Sequence, residues 1–525
     1  MGVVNIIMGF FAAILIATGI KKEEPLNPED RKPKVEILEQ HKVIDRNFDY
    51  EELRKKAKEL LAKPFKEPKK SINKSLAELN YDKYKNIKFL SEKSIWRGEG
   101  NPFQLQFLHP GYIYDYNVLI NEVRKNKAFP IFYNTDYFDF SELQLKEKAS
   151  TELGFSGFKI HYPINTQEHT DEFVVFQGAS YFRAVSQNQF YGLSARGLAT
   201  NTGMPYPEDF PIFKEFWIRK PSSGEDSIKV YALMDGKSAV GAYEFEFFPG
   251  KQTETIVNAE IILRKEVDRL GLAPLTSMYW YGENSEANHP STYPEVHDSD
   301  GLLVLNANDE WIWRPLENPK KPSINSFISE NVKGFGLLQR DREFSSYEDS
   351  EMKYHLRPGA WIEPKENWGK GSVQLYRMPT KEDSVDNIGA FWVPEEMPKV
   401  GEPFSFSYKI FWINQNPNQK TISDVVATRI KSVPKENDSY IYQIDFKGGK
   451  LKGIENSSEL EAVVTATDSA QISEITIQRI PETEKWRCSF KLNSKANGKS
   501  IELKAFLKKG DSVITESWTY TLELQ

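Results

Sequence analysis

The sequence predicts a mainly β protein, a large antiparallel β-sandwich followed by a small immunoglobulin-like β-sandwich. Three observations lead there. From about Phe129 onward, short apolar runs alternate with polar residues, and Gly, Pro, Asn and Asp punctuate them. After a Pro- and Gly-bearing tract, Glu395-Glu-Met-Pro-Lys-Val-Gly-Glu-Pro403, the alternation resumes in short strands to the C-terminus, the pattern of an immunoglobulin-like sandwich. The chain of 525 residues also exceeds the roughly 250–300 residues at which a single core stops growing, so two domains are expected.

The elements follow in order. Val3 to Ile20 is apolar apart from Asn5 and Thr18. It reads as a signal peptide over 1–20 with Ala17-Thr-Gly19 as cleavage site, or as an uncleaved anchor just long enough to span a bilayer. No Lys or Arg precedes the run, and Lys21 and Lys22 follow it. Residues 21–34 are charged and Pro-bearing and predict a linker. A domain over 35–396 begins with a helix over Phe48–Leu61, where Leu53, Ala57, Leu60 and Leu61 recur at helical spacing. A second short helix is expected around Tyr116–Lys125. Strands are predicted at Phe173–Phe176, Ser227–Leu233, Ala242–Phe248 and Thr255–Leu263. Within 397–525, strands are predicted at Phe404–Phe411, Tyr440–Phe446, Glu461–Ala466, Cys488–Leu492 and Ile501–Leu507.

Composition narrows the function. The net charge of −7 argues against nucleic acid as a partner, since phosphate neutralisation needs a basic surface. A single cysteine, Cys488, allows no intrachain disulfide or Cys-based zinc site and reads as a buried strand residue. The seven histidines are scattered, with no His-x-x-x-His pair, so no metal is expected, and no cofactor. Gly192-Leu-Ser-Ala-Arg196 has Arg where a nucleophile elbow needs its second Gly. No phosphate loop or dinucleotide fingerprint occurs. Aromatics make up 13% of the chain, including 11 Trp; large β cores account for most, and a carbohydrate groove for the rest.

The most informative tract is Tyr293-Pro-Glu-Val-His-Asp-Ser-Asp-Gly301, followed by Glu310-Trp-Ile-Trp-Arg-Pro315. It sets Asp298 and Asp300 beside His297. If the stretch is extended, both aspartates share a face, and Trp311 and Trp313 share another strand's face. Carboxylates move protons, and indole faces stack on pyranose rings, which is what a sugar-cleaving groove requires. The competing reading is a solvated Asp-Ser-Asp-Gly turn. Asp386, at the mouth of the strand-like Asn387-Ile-Gly-Ala-Phe-Trp392, is a second candidate, because desolvation there would keep its carboxyl protonated.

These tracts, with Gly334-Phe-Gly-Leu-Leu-Gln-Arg-Asp-Arg342, Tyr354-His-Leu-Arg-Pro358, Asn367-Trp-Gly-Lys-Gly-Ser-Val-Gln-Leu375 and Asp386-Asn-Ile-Gly-Ala-Phe-Trp-Val-Pro394, resemble the periplasmic glucan biosynthesis proteins G and D (the OpgG/OpgD family). Gln177-Gly-Ala-Ser-Tyr-Phe-Arg183, Tyr191-Gly-Leu-Ser-Ala-Arg-Gly197 and Phe216-Trp-Ile-Arg-Lys-Pro221 extend the likeness upstream. The resemblance implies a galactose-mutarotase-like first sandwich, a periplasmic location and endo-hydrolysis of β-1,2-glucan. It also implies Asp386 as general acid, Asp298 ahead of Asp300 as general base, and inversion, with water able to relay the proton.

Tyr354 and Arg357 are expected to bind sugar hydroxyls near the cleavage point. Arg340 and Arg342 are expected on a loop over the groove, hinged by Gly334-Phe-Gly336, or else in a surface salt-bridge cluster. Trp311, Trp313, Trp361, Trp368 and Trp392 are candidate stacking platforms, with some of them core. Tyr181, Arg183, Tyr191, Ser194 and Arg196 are expected at the far end of the groove. Two other functions fit the same residues: a non-catalytic glucan-binding module that guides the nascent chain or meets the inner-membrane glucan synthase, and a transglycosylase or branching enzyme. Oligomeric state is not legible.

Overall fold

The computed structural model describes residues 47–523, apart from 71, 142–152, 286–291, 416, 418–421, 435, 437, 468–469 and 495–499. The predicted leader at 1–20 and linker at 21–34 lie outside the described residues. No helix among the described residues is long and apolar enough to cross a membrane. The protein is mainly β, with antiparallel sheets packed as sandwiches, as the alternation predicts. It divides into two compact units.

The first unit comprises the chain up to Gln187, Ser194–Pro274 and Met397–Lys409. One of its sheets runs Gln104–Leu108, Gly157–Tyr162, Asp171–Gln177, Tyr181–Ala184, Ser194–Arg196, each antiparallel to the next. The other runs Thr253–Leu263, Ala239–Phe248, Ile228–Asp235, Ile212–Arg219, Leu119–Arg124, Lys127–Pro130. Period-two alternation turns Tyr243, Phe245 and Phe247 fully inward while Glu244 and Glu246 stay half-exposed. The two sheets meet through aromatic rings, with Phe158 and Phe216 at 5.0 Å and Phe176 and Phe245 at 5.3 Å between centroids. On the other face of the second sheet lies the predicted helix, Tyr50–Leu61. Asp49 caps it by accepting the Glu52 N–H at 2.9 Å, and its Leu53 and Ala57 pack with Val123, Trp217 and Ala242.

The helix expected around Tyr116–Lys125 is instead the strand Leu119–Arg124, parallel to Ile212–Arg219. The apolar positions Val118, Ile120 and Val123 fit either period. Ladder bonds from a strand distant in sequence decide the matter. Lys125 and Asn126, at φ 48° and 60°, then form the doubly left-handed turn whose twist suits a tight hairpin.

The second unit comprises Asn188–Leu193, Leu275–Glu396 and Ile410–Gln525. One run of strands is Glu461–Ala466, Ile501–Lys509, Ser517–Leu522, Trp311–Pro315, Gly301–Leu305, Gly334–Leu338, Gly359–Pro364. The strand Ser517–Leu522 joins Trp311–Pro315 in parallel. A four-stranded sheet of Asp424–Ser432, Ser439–Lys447, Lys485–Ser494 and Ala470–Arg479 contributes Tyr442, Phe490 and Cys488 to the core it shares with Trp313, Trp361 and Trp518. Cys488 is buried, as predicted, and burial pushes its thiol up to about 12, so it stays protonated and unreactive. A further antiparallel run is Ser323–Glu330, Lys370–Arg377 and Ile388–Pro394.

The glycines expected to hinge a loop, Gly334 and Gly336, lie inside the strand Gly334–Leu338. They are there for close approach. A Cβ on Gly336 would sit 2.2 Å from the Ala360 carbonyl oxygen and 2.9 Å from the Trp361 Cα, and neither backbone atom can yield cheaply. Gly336→Ala is expected to destabilise this unit by about 1–3 kcal/mol, read as a lower thermal unfolding midpoint; an unchanged midpoint would refute the packing argument.

Candidate functional site

Asp298 lies between the short strand Val296–His297 and the strand Gly301–Leu305. Its N–H donates to the Met278 carbonyl at 2.8 Å. Its side chain is fully buried, and Oδ1 accepts from Nη1 of Arg357, itself buried. Arg357 is in turn fixed. Its Nε and Nη2 both donate to the Met352 carbonyl, at 3.1 and 3.0 Å, and its guanidinium lies 4.1 Å from the centre of the Tyr354 ring. The Tyr354 hydroxyl donates to Asp383 Oδ2 at 3.2 Å. The local fold follows from the sequence: Lys353 takes a left-handed φ of 49°, a 3₁₀ turn spans Tyr354–Leu356, and Pro358 allows no further turn. Gly192 is required beside it, since a Cβ there would come 2.8 Å from the Arg357 Cβ. One atom is left over: Asp298 Oδ2 is buried and accepts no hydrogen bond from the described residues.

Asp386 is half-buried, with both carboxylate oxygens shielded from solvent. Its neighbour Asn387 is the anchor. The Asn387 Oδ1 accepts the Tyr279 N–H at 2.8 Å, and its Nδ2 donates to the carbonyls of Tyr279 at 2.9 Å and Met378 at 3.0 Å. Adjacent residues, Met278 and Tyr279, therefore hold the segments that carry Asp298 and Asp386. Tyr354 and Arg357 tie Asp298 to the 383–386 loop from the other side. Two aspartates remote in sequence are thus tethered to one short stretch of backbone.

His297 is fully buried and so reaches no solvent. Its Nδ1 donates to Gln339 Oε1 at 3.0 Å and its Nε2 to Glu295 Oε2 at 2.7 Å. The Gln339 Nε2 donates to the His297 carbonyl at 2.9 Å, which fixes the amide so that Oε1 faces the ring. A ring with two acceptors must donate twice, as an imidazolium. Burial opposes that charge, but the Asp300 and Glu295 carboxylates outweigh it and raise His297 to about 10. Asp300 accepts backbone N–H groups from Arg340 and, at 3.0 Å, from Asp341. Glu283, Glu295, Asp300 and Asp341 offer oxygens that all lie within 4.8 Å of one another. Burial, then Glu295 and Asp300, push Glu283 up to about 7. Burial, then Asp300, push Asp341 up to about 9. Such an oxygen set has the chemistry of a hard-cation site, and His297 supplies a countercharge within it.

A carboxyl raised on folding contributes stability below its unfolded value of 4.5, and that stability is lost as pH rises through about 7 for Glu283. Glu283→Gln keeps the acceptor for the Thr428 N–H and removes the charge. It is expected to raise the unfolding midpoint strongly at pH 8 and much less at pH 5. Equal effects at both pH values would show that repulsion in this cluster is not felt.

The other candidates fall in several places. Arg340 makes a bidentate pair with Glu516, at 2.8 and 2.7 Å, and its guanidinium covers the Trp313 ring at 3.5 Å. Trp313 is buried, and Trp311 stacks on Trp361 at 5.6 Å. Trp392 is fully buried, 6.3 Å from Trp368. These are core contacts, set by packing that strand alternation alone does not reveal. Arg342 donates to the carbonyls of His355 and Arg357, and burial lowers it to about 10. Beside Arg340 and Arg342 lies a cavity of about 200 Å³, also lined by Gln339, Gly359 and Asp424. Tyr181, Arg183 and Arg196 belong to the first unit. There Arg183 donates to Ser194 at 2.6 Å, and Arg196 pairs with Glu208 at 2.7 Å over the rings of Tyr181 and Phe210. Sequence reading passed over Asn387, Glu283, Glu295, Gln339 and Asp341. Asn387 adjoins a candidate acid, and an amide at a strand entry is a recognisable anchor; Glu295, Gln339 and Asp341 lie within the tracts already singled out, and Glu283 alone carries no local signal.

Fold and site together define a class: mainly β proteins of stacked antiparallel sheets in which a buried aspartate is held by arginine. Within that class the comparisons are specific. The chain belongs to the family described as periplasmic glucan biosynthesis protein, MdoG, whose model matches residues 48–522. It is 42% identical over 483 residues to a protein named glucans biosynthesis protein G from Ralstonia nicotianae, covering 90% of this chain and 96% of that one. Proteins of the same name from Pseudomonas aeruginosa, at 40% over 486 residues, and Dickeya dadantii, at 39% over 487, each cover 90% of this chain and 93% of their own.

Proposed function

We propose that the protein acts in periplasmic glucan biosynthesis, exported by its N-terminal apolar segment, and that it cleaves β-1,2-linked glucan internally with inversion. Family membership supports the first part. The observation that carries the second is the Asp298–Arg357 pair with its unoccupied Oδ2, tethered to the same Met278–Tyr279 stretch as the Asp386 segment. Asp386 enters protonated and gives its proton to the leaving glycosidic oxygen as the C1–O bond breaks. Water attacks C1 from the opposite face, and its proton passes to Asp298 Oδ2. Because Asp298 is fully buried, that proton travels through a relay of water or sugar hydroxyl that ends on Oδ2, while Arg357 holds Oδ1 and orients the carboxylate. Asp300 gives its Oδ2 to the backbone of Arg340 and Asp341 and its Oδ1 to the ion pair with His297 at 3.5 Å, so Asp298 is the base of choice. Residues 35–396 hold this chemistry. Residues 397–525, which supply Glu516 and the Val425 carbonyl to Arg340, serve packing and a partner surface, for which the inner-membrane glucan synthase is the candidate.

A second reading rests on the same burial. A base with no exposed atom also suits a non-catalytic glucan-binding module. Incubating the purified protein with linear β-1,2-glucan separates the two: short oligosaccharides and new reducing ends support hydrolysis, whereas retarded migration in a glucan-containing gel without product supports binding alone.

A further inference from the structure

We infer that Asn387 is a positioning residue that sets where the Asp386 carboxyl stands relative to Asp298, an inference that rests on the hydrolase reading above. Asn387 is buried and uses all three of its side-chain hydrogen bonds on main-chain groups: Tyr279 N–H, Tyr279 C=O and Met378 C=O. Its own carbonyl accepts the Met378 N–H at 2.9 Å. The side chain thereby imitates a strand, pairing with both polar groups of Tyr279 as a ladder partner would. Tyr279 also pairs with His297, and Met278 takes the Asp298 N–H. The base is thus fixed to this stretch by a main-chain bond, whereas at the residue beside the acid the tie to Tyr279 is an amide side chain. Main-chain bonds hold the strand that follows, to Lys370–Arg377, so a substitution at Asn387 loosens the strand entry next to Asp386 without dissolving the strand and leaves the base in place.

The hydrogen-bond inventory predicts a pH signature. In Asn387→Ala all three bonds are lost. In Asn387→Asp the ionised carboxylate faces two carbonyls and repels them. Once protonated, it can accept from the Tyr279 N–H and donate to one carbonyl, restoring two of the three bonds. Protonation of the new side chain also restores fold stability, so the recovery of kcat is read where each variant remains folded and is compared with its unfolding midpoint at the same pH.

The test compares wild type, Asn387→Ala and Asn387→Asp on linear β-1,2-glucan between pH 5 and 8, with unfolding midpoints and crystal structures of wild type and Asn387→Ala. Expected are a kcat reduced on the order of 100-fold in Asn387→Ala with KM unchanged, and an Asn387→Asp kcat that climbs toward the wild-type value at the same pH as pH falls. Expected in the crystals is an Asp386 carboxyl moved by about 1 Å relative to Tyr279. Wild-type kcat in Asn387→Ala, or a loss that tracks only the unfolding midpoint and is flat with pH, would overturn the inference. If the wild type itself releases no product, the hydrolase reading fails, and the crystals alone decide the positioning: an unmoved Asp386 refutes it.

Discussion

Asp386→Asn is expected to lower endo-hydrolysis of linear β-1,2-glucan by roughly 10²–10⁴-fold, the range that a positioned general acid contributes. The amide cannot supply the proton that the departing sugar oxygen needs. The fold should tolerate the change, because Asn387 carries the three main-chain bonds at this position and the two side chains match in size. Glucan binding, followed by gel retardation, should therefore survive while reducing ends disappear. An aryl glycoside whose leaving group departs unprotonated should lose much less rate than the glucan. Undiminished glucan cleavage by Asp386→Asn would remove Asp386 from the mechanism.

Arg357→Ala should have the largest effect on stability, about 3–5 kcal/mol, because it leaves the fully buried Asp298 carboxylate without its partner. The loss extends beyond the pair. Arg357 also ties the Met352 carbonyl and covers the Tyr354 ring, so the turn carrying Tyr354 loosens with it. A double-mutant cycle separates the terms. Arg357→Ala with Asp298→Ala removes the orphaned charge and should recover part of the lost stability. If the double variant is less stable than Arg357→Ala alone, the penalty comes from lost packing and not from the stranded carboxylate.

Much of the fold was legible because sheet faces impose a period of two. Thr255–Leu263 and Ile501–Leu507 were read from alternation and lie within strands Thr253–Leu263 and Ile501–Lys509. The segment Leu119–Arg124 was misread because its apolar spacing serves helix and strand alike, and its parallel partner lies far along the chain. Gly334 and Gly336 looked like a hinge because a glycine's freedom is local, whereas its need for close approach to Ala360 and Trp361 is tertiary.

The candidate site divides the same way. The aspartates were visible as candidate acids, but residue type alone left them equally readable as turn residues, and the family resemblance is what put Asp298 and Asp386 forward. What each acid's oxygens meet depends on partners: Arg357 takes Oδ1 of Asp298, while at Asp300 two backbone N–H groups share Oδ2 and His297 lies 3.5 Å from Oδ1. Likewise Trp313 and Arg340 were legible as a platform and a cation, but only packing stacked one on the other and gave Arg340 to Glu516. Side-chain alternation and residue chemistry are local, and they established a β-rich protein with candidate acids. Burial, pairing and the shared tether at Met278–Tyr279 join segments remote along the chain, and only the folded arrangement selects among the candidates, because desolvation and hydrogen-bond partners exist only once those segments meet.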